Sequence, residues 1–250
     1  MTEEKILTKE IAEQFIADYE SVDLSVFTKI EDDAAESLSR FNKGNEGYLH
    51  LAGLTELSDA AAESLAKHEG DLSLDGLTEL SDAAVGSLSQ YKDHLNVGLI
   101  SLSDPSAESL YNYKGEHLVL SGVKTLSDTA ASSLAKIKGK VCLPRLTALN
   151  DTPAHLSLLE KLLEEFKDTH LDDVVKLGGL TSISEAMLDV ISKVLPPLNE
   201  WANTPQYRPD IHLTGLERLD NSVLEKLEYV MEKVSMEIEL SDEVIEQFDE

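Results

Sequence analysis

Residues 49–71, LHLAGLTELSDAAAESLAKHEGD, and residues 72–94, LSLDGLTELSDAAVGSLSQYKDH, are two ungapped copies of one 23-residue unit. The unit recurs with drift through most of the 250-residue chain. Self-similarity at so short a period predicts a solenoid, because one unit has no second layer to cover its leucines and stacked units bury them against each other.

Each copy opens with apolar-x-apolar, Leu49 and Leu51 or Leu72 and Leu74, an alternation long enough for one short strand. Gly53 and Gly76 follow, where the chain must leave the strand sharply. Leu54 and Leu57, like Leu77 and Leu80, are expected to point into the same interior as the strand pair. Ser58 and Ser81 are expected helix N-caps, with Asp59 and Asp82 in the first turn complementing the helix dipole. Ala61, Ala62 and Leu65, and likewise Ala84, Val85 and Leu88, then form a narrow inward stripe whose small residues let the helix lie close to the strands.

These residues resemble the leucine-rich repeats. The similarity is to a 23-residue variety in which the usual asparagine after the strand is an apolar residue, here Leu77 in LSLDGLTEL. The run Val141-Cys142-Leu143-Pro144-Arg145-Leu146-Thr147 also resembles the bacterial BspA-like subgroup. The resemblance implies an α/β horseshoe, a curved solenoid with parallel strands on one face and helices on the other, serving as a binding scaffold. It implies no particular partner.

Strand starts at Val22, Leu49, Leu72, Leu95, Leu118, Val141, Val175, Ile211 and near Ile238 predict nine strands in a single domain, residues 1–250. Residues 1–21 are expected to cap the N-terminus, with Leu7, Ile11 and Phe15 inward. Residues 22–153 are regular repeats, 154–237 longer divergent ones, and 238–250 a C-terminal cap with Val244, Ile245 and Phe248 inward. The unit from Leu95 loses one residue after Val97 and gains one near Gly115, which predicts loops at both places. Residues 153–170 predict a longer helix with Leu156, Leu159, Leu163 and Phe166 on one face, and Asn150 stands where earlier units have the capping serine.

The formal net charge of −27 repels nucleic-acid phosphates and anionic membrane surfaces, so a charged partner is expected to be a basic protein. No apolar run is long enough to span a membrane, and the opening MTEEKILTKE carries acids where a signal peptide carries its basic end. A cytoplasmic protein is expected. Cys142 stands alone, which fits a reducing compartment and forbids an internal disulfide.

Asp59, Asp82, Asp104, Asp128 and Asp151 share one repeat position and should stack along an edge. Stacked carboxylates suit a hard cation such as Ca²⁺, yet a helix N-terminus accounts for each of them and no calcium loop accompanies them. His94 and His117 each precede a strand and are expected to be neighbours, without an evident third ligand for Zn²⁺. No phosphate loop, HExxH or GxSxG motif occurs, so neither enzymatic activity nor a cofactor is expected.

Outward residues of the strands, Asp23, His50, Ser73, Asn96, Val119, Cys142, Lys176 and His212, should line the open face of the sheet. Among them His50, Asn96, Lys176 and His212 are candidate partner-binding residues, together with Trp201 and Tyr207 in the proline-rich segment 194–210. The expected function is a non-enzymatic protein-binding scaffold. The alternatives are an acidic decoy of a basic enzyme or nucleic-acid-binding protein, and a calcium- or other metal-dependent activity at the Asp edge.

Overall fold

The computed structural model describes residues 4–41, 47–164, 175–177, 179–195, 210–233 and 237–248. The chain divides into two compact units, Met1–Val123 with Lys136–Cys142, and Lys124–Ala135 with Leu143–Glu250. Short parallel strands alternate with helices along it.

In the first unit, β1 (Ile6–Leu7) and β2 (Lys29–Ile30) form a small parallel pair. A five-stranded parallel sheet follows in sequence order: β3 (Leu49–His50), β4 (Leu72–Leu74), β5 (His94–Val97), β6 (His117–Leu120) and β7 (Lys140–Cys142). Helices α1 (Lys9–Ala17), α2 (Asp32–Leu38), α3 (Asp59–Leu65), α4 (Asp82–Leu88) and α5 (Asp104–Leu110) fall between successive strands. The register is the sequence repeat itself, since Leu49, Leu72, Leu95, Leu118 and Val141 pair in turn, each 23 residues beyond the last. All five are buried, as are Leu51, Leu54, Leu74 and Leu77, so the inward face is the one the leucine spacing requires. Leu57 and Leu80 are only half-buried.

Ser58, Ser81 and Ser103 cap their helices by accepting from the backbone N–H of Ala61, Ala84 and Ser106 at 3.0, 3.0 and 3.1 Å. Ala61, Ala62, Leu65, Ala84, Val85 and Leu88 face the interior as their spacing demands. Past the turn, single backbone bonds link coils again: Thr28 N–H to Lys5 O and Thr55 N–H to Thr28 O, both 2.9 Å, and Ile100 N–H to Thr78 O at 3.1 Å. These coils are thus tied to their neighbours at two points, the strand ladder and the bond past the turn.

At Val22 no strand forms. The Asp23 carboxylate accepts from Ser25 N–H at 2.9 Å and Ser25 Oγ at 2.6 Å, winding Leu24–Val26 into a short 3₁₀ turn. A local side-chain-to-backbone bond here outcompetes the ladder. In the N-terminal segment Leu7 and Phe15 are buried as expected, but Ala12 rather than Ile11 completes the inward face. Phe15 packs against Phe41 with ring centroids 5.0 Å apart.

One buried column of this unit carries polar tips. Tyr91 Oη donates to Gly70 O at 2.5 Å, Tyr113 Oη to Asp93 O at 2.8 Å, and His68 Nε2 lies 2.7 Å from Gly47 O, each reaching back one coil. Burial pushes both phenols above the ordinary tyrosine range and holds the His68 imidazole below its ordinary value, against the pull of the Gly47 carbonyl and Asp93. A depressed folded pKa means that the stability His68 contributes is present above about pH 6.5, the unfolded value, and is lost as pH falls through the folded one. His68→Tyr, which copies the neighbouring coils, is therefore expected to lessen the fall in Tm between pH 7 and pH 5. Parallel thermal melts of the two proteins check this, and equal slopes would overturn it.

The second unit contains α6 (Asp128–Leu134), α7 (Pro153–Glu164), β8 (Val175–Lys176), α8 (Glu185–Val194), β9 (Asp210–Leu213), α9 (Asn221–Lys233), β10 (Glu237–Leu240) and α10 (Asp242–Phe248). Strands β8, β9 and β10 form a parallel sheet with β9 in the middle. Backbone bonds past the turn recur here, from Thr147 N–H to Lys124 O, Thr181 N–H to Thr147 O and Glu217 N–H to Thr181 O, at 2.8, 3.1 and 3.0 Å. Helix α7 starts at Pro153, and Thr152 rather than Asn150 takes the place of the capping serine, 3.4 Å from the His155 N–H. Its buried face is His155, Leu158, Leu159, Leu162 and Leu163, so Leu156 is rotated to the flank, while Phe166 lies outside the described residues.

At the C-terminal end, Val244 is inward while Ile245 and Phe248 are exposed. Gln247 turns in instead, accepting from Leu219 N–H at 2.7 Å and donating to Leu219 O at 2.9 Å. Its amide thus satisfies both backbone groups of Leu219.

Candidate functional site

Strand alternation sorts the outward residues of the five-stranded sheet into columns. Tyr48, Asp71, His94, His117 and Lys140 stand immediately before the inward leucine or valine of each coil, and His50, Ser73, Asn96, Val119 and Cys142 two residues later. A 23-residue register makes neighbours of residues that sequence order separates, so the open face mixes side chains from five coils.

His50 is exposed on this face and Asn96 is half-buried two strands away. In the second unit Lys176 pairs with His212 in the β8–β9 register, and His212 Nε2 lies 3.1 Å from Glu239 Oε2. Trp201 and Tyr207 lie outside the described residues. Tyr48, which strand patterning did not single out, is 51% exposed and stacks on His50 with ring centroids 5.7 Å apart and planes 18° apart. The signal was present in the sequence: Tyr48 is the aromatic member of the column that also holds His94 and His117.

A carboxylate organises the middle of the face. Asp75 Oδ2 accepts from Ser73 Oγ at 2.6 Å and from Asn96 Nδ2 at 2.9 Å, and Asp75 Oδ1 accepts from Ser121 Oγ at 3.0 Å. One side chain therefore ties three coils. It reaches Ser121, two coils on, past Gly98, where the intervening backbone lies against Asp75. The residues after Val97 are irregular, as the deletion there predicted.

His94 and His117 are register partners, with ring centroids 5.5 Å apart in an edge-to-face arrangement. His94 Nδ1 is 3.4 Å from Asp71 Oδ1 and its Nε2 is 3.9 Å from Glu116 Oε2. On the other side, His117 Nε2 lies 3.2 Å from Cys142 Sγ. Among the described residues no three His, Cys, Asp or Glu side chains converge as metal ligands.

The Asp edge has a structural use. Ser58 Oγ donates to Asp32, Ser81 Oγ to Asp59 and Ser184 Oγ to Asp151. Ser103 Oγ and Ser106 Oγ donate to Asp82 Oδ1 at 2.5 and 2.6 Å, and Thr152 Oγ1 to Asp128 Oδ1 at 2.9 Å. Each cap hydroxyl thus accepts from its own helix and donates to an earlier coil, a bond with no counterpart in an isolated unit. The Asp82 carboxyl is held below the usual carboxylate range by the hydroxyls of Ser103 and Ser106.

No helix among the described residues is long and apolar enough to cross a membrane. Neither a protein-family model nor a curated protein matches the chain.

Proposed function

We propose that the chain is a non-enzymatic protein-binding scaffold, a leucine-rich-repeat horseshoe whose partner engages the open face of the sheet. The observation that carries this reading is the exposed Tyr48–His50 stack on a face whose backbone is fixed by parallel pairing and whose centre is tied across three coils by Asp75. A rigid surface with an aromatic anchor loses little entropy on binding. A second reading is favoured by the net charge of −27: an acidic decoy that occupies a basic enzyme or nucleic-acid-binding protein. A metal-dependent activity at the Asp edge is the weaker alternative, since cap hydroxyls already engage those carboxylates. The lone Cys142 accords with a reducing, cytoplasmic compartment.

Salt separates the first two readings, because a charge-led complex weakens steeply with ionic strength and an aromatic-led one does not. In pull-downs from native lysate, a partner that survives high salt and is lost on Tyr48→Ala with His50→Ala supports the scaffold. A partner lost with Trp201→Ala instead places recognition on the 194–210 segment. Basic proteins held only at low salt, by every version, support the decoy. No retained protein at either salt would sink both.

A further inference from the structure

We infer that Cys142 and His117 form a thiol–imidazole pair that makes this position a site of thiol–disulfide exchange, the nucleophile being the Cys142 thiolate and the electrophile a small-molecule disulfide. The inference stands apart from whether the face binds a protein.

Cys142 is not an isolated thiol. It lies on β7 with its side chain outward between buried Val141 and Leu143, half-buried, and the imidazole of the adjacent strand is within hydrogen-bonding reach, Nε2 to Sγ 3.2 Å. Both backbones are fixed by the β6–β7 register, in which His117 pairs with Lys140 and Val119 with Cys142. Sulfur and nitrogen therefore meet across the ladder on a diagonal that strand geometry holds in place.

His94 packs edge-on against the His117 ring, and Asp71 and Glu116 lie by His94, so the imidazole column is faced by carboxylates within a strongly acidic chain. Lys140, exposed two residues before Cys142 on the same strand face, is the cation of strand β7. Val119 on the adjacent strand and Asn96 one strand further are the uncharged members of the Cys142 column. Transfer of the thiol proton to His117 turns a neutral pair into thiolate and imidazolium, the state in which a cysteine is nucleophilic.

The step balances without another reactant. Cys142 Sγ⁻ attacks one sulfur of the disulfide, an S–S bond to the protein forms, and the reagent's own S–S bond breaks. The departing thiolate takes the proton held by His117 and leaves as a free thiol. Cys142 is oxidised to a mixed disulfide while half of the reagent is reduced.

The test uses 4,4′-dithiodipyridine, an uncharged aromatic disulfide that the acidic surface does not repel, with the rate of thiopyridone release read against pH on the full chain. The wild type is expected to react at pH 6 about tenfold faster than His117→Asn, whose rate should follow an ordinary thiol with pKa about 8.5. Cys142→Ser should release nothing. The urea-unfolded wild type offers the same thiol without its imidazole, so the comparison holds even where His117→Asn does not fold: the native chain should be the faster of the two at pH 6. Equal pH profiles for wild type and His117→Asn would overturn the inference, as would a thiol that reacts only once unfolded.

Discussion

Leu77→Ala is expected to lower the free energy of unfolding by about 2–5 kcal/mol, the range for truncating a fully buried leucine. Leu77 has 0% of its surface exposed and sits just past the β4 turn, where its N–H donates to Leu74 O at 3.1 Å. The loss combines the removed methyl groups with a cavity that the flanking coils cannot close, because their backbones are already fixed in register with this one. Urea unfolding checks the value through the midpoint, with Leu80→Ala as the internal comparison. Leu80 is half-buried three residues later and should cost clearly less. Equal losses for the two would mean that the inward face is not the one described.

Gly98→Ala is expected to cost at least as much as ordinary overpacking, about 1–3 kcal/mol or more. A methyl group at Gly98 would stand 1.9 Å from Asp75 O and 2.7 Å from Asp75 C, both backbone atoms of the preceding coil. Neither can retreat cheaply, since Gly98 N–H itself donates to Leu74 O at 3.2 Å. Gly86→Ala is the natural counter-test. Gly86 lies within α4, and a methyl group there would meet only Ser109 Oγ at an ordinary 3.8 Å. That substitution should stabilise by about 0.5–1 kcal/mol through helix propensity. Thermal melts of opposite sign for these two glycines are the expected outcome, and a neutral Gly98→Ala would show that the coils are not packed backbone against backbone at this turn.

Much of the fold was legible because it is periodic. Alternation at Leu72 and Leu74 marks a strand whose leucines turn inward, and Ser81-Asp82 followed by Ala84, Val85 and Leu88 marks a capped helix. Both signals are local and recur at one spacing. Where local signals failed, a specific competitor won: the Asp23–Ser25 bonds at the expected first strand, and Gln247 in place of Phe248 at the C-terminal end. In α7 the error was one of phase, since a helix carrying leucines at 156, 158, 159, 162 and 163 offers two candidate faces. Burial selects the face that also contains His155.

The candidate site was less legible, for a physical reason. His50 and Asn96 were recognisable as outward residues from alternation alone, and the proximity of His94 to His117 followed from equal repeat positions. The stack of Tyr48 on His50, the bridge from Asp75 to Ser121 and the approach of His117 to Cys142 all depend on side-chain direction between coils.

By itself, then, the sequence determined which strand residues of the regular units turn inward, where their helices begin and that coils repeat every 23 residues, because those properties are written in periodicity and in capping chemistry within one unit. Only the tertiary structure decided what each coil does to the next: Ser103 and Ser106 bonding to Asp82, Tyr91 reaching the Gly70 carbonyl, Asp75 spanning the intervening coil, and His117 meeting Cys142 on the adjacent strand. Those contacts join residues about a full repeat apart or more, and their geometry is set by the stacking of backbones, which no single unit contains.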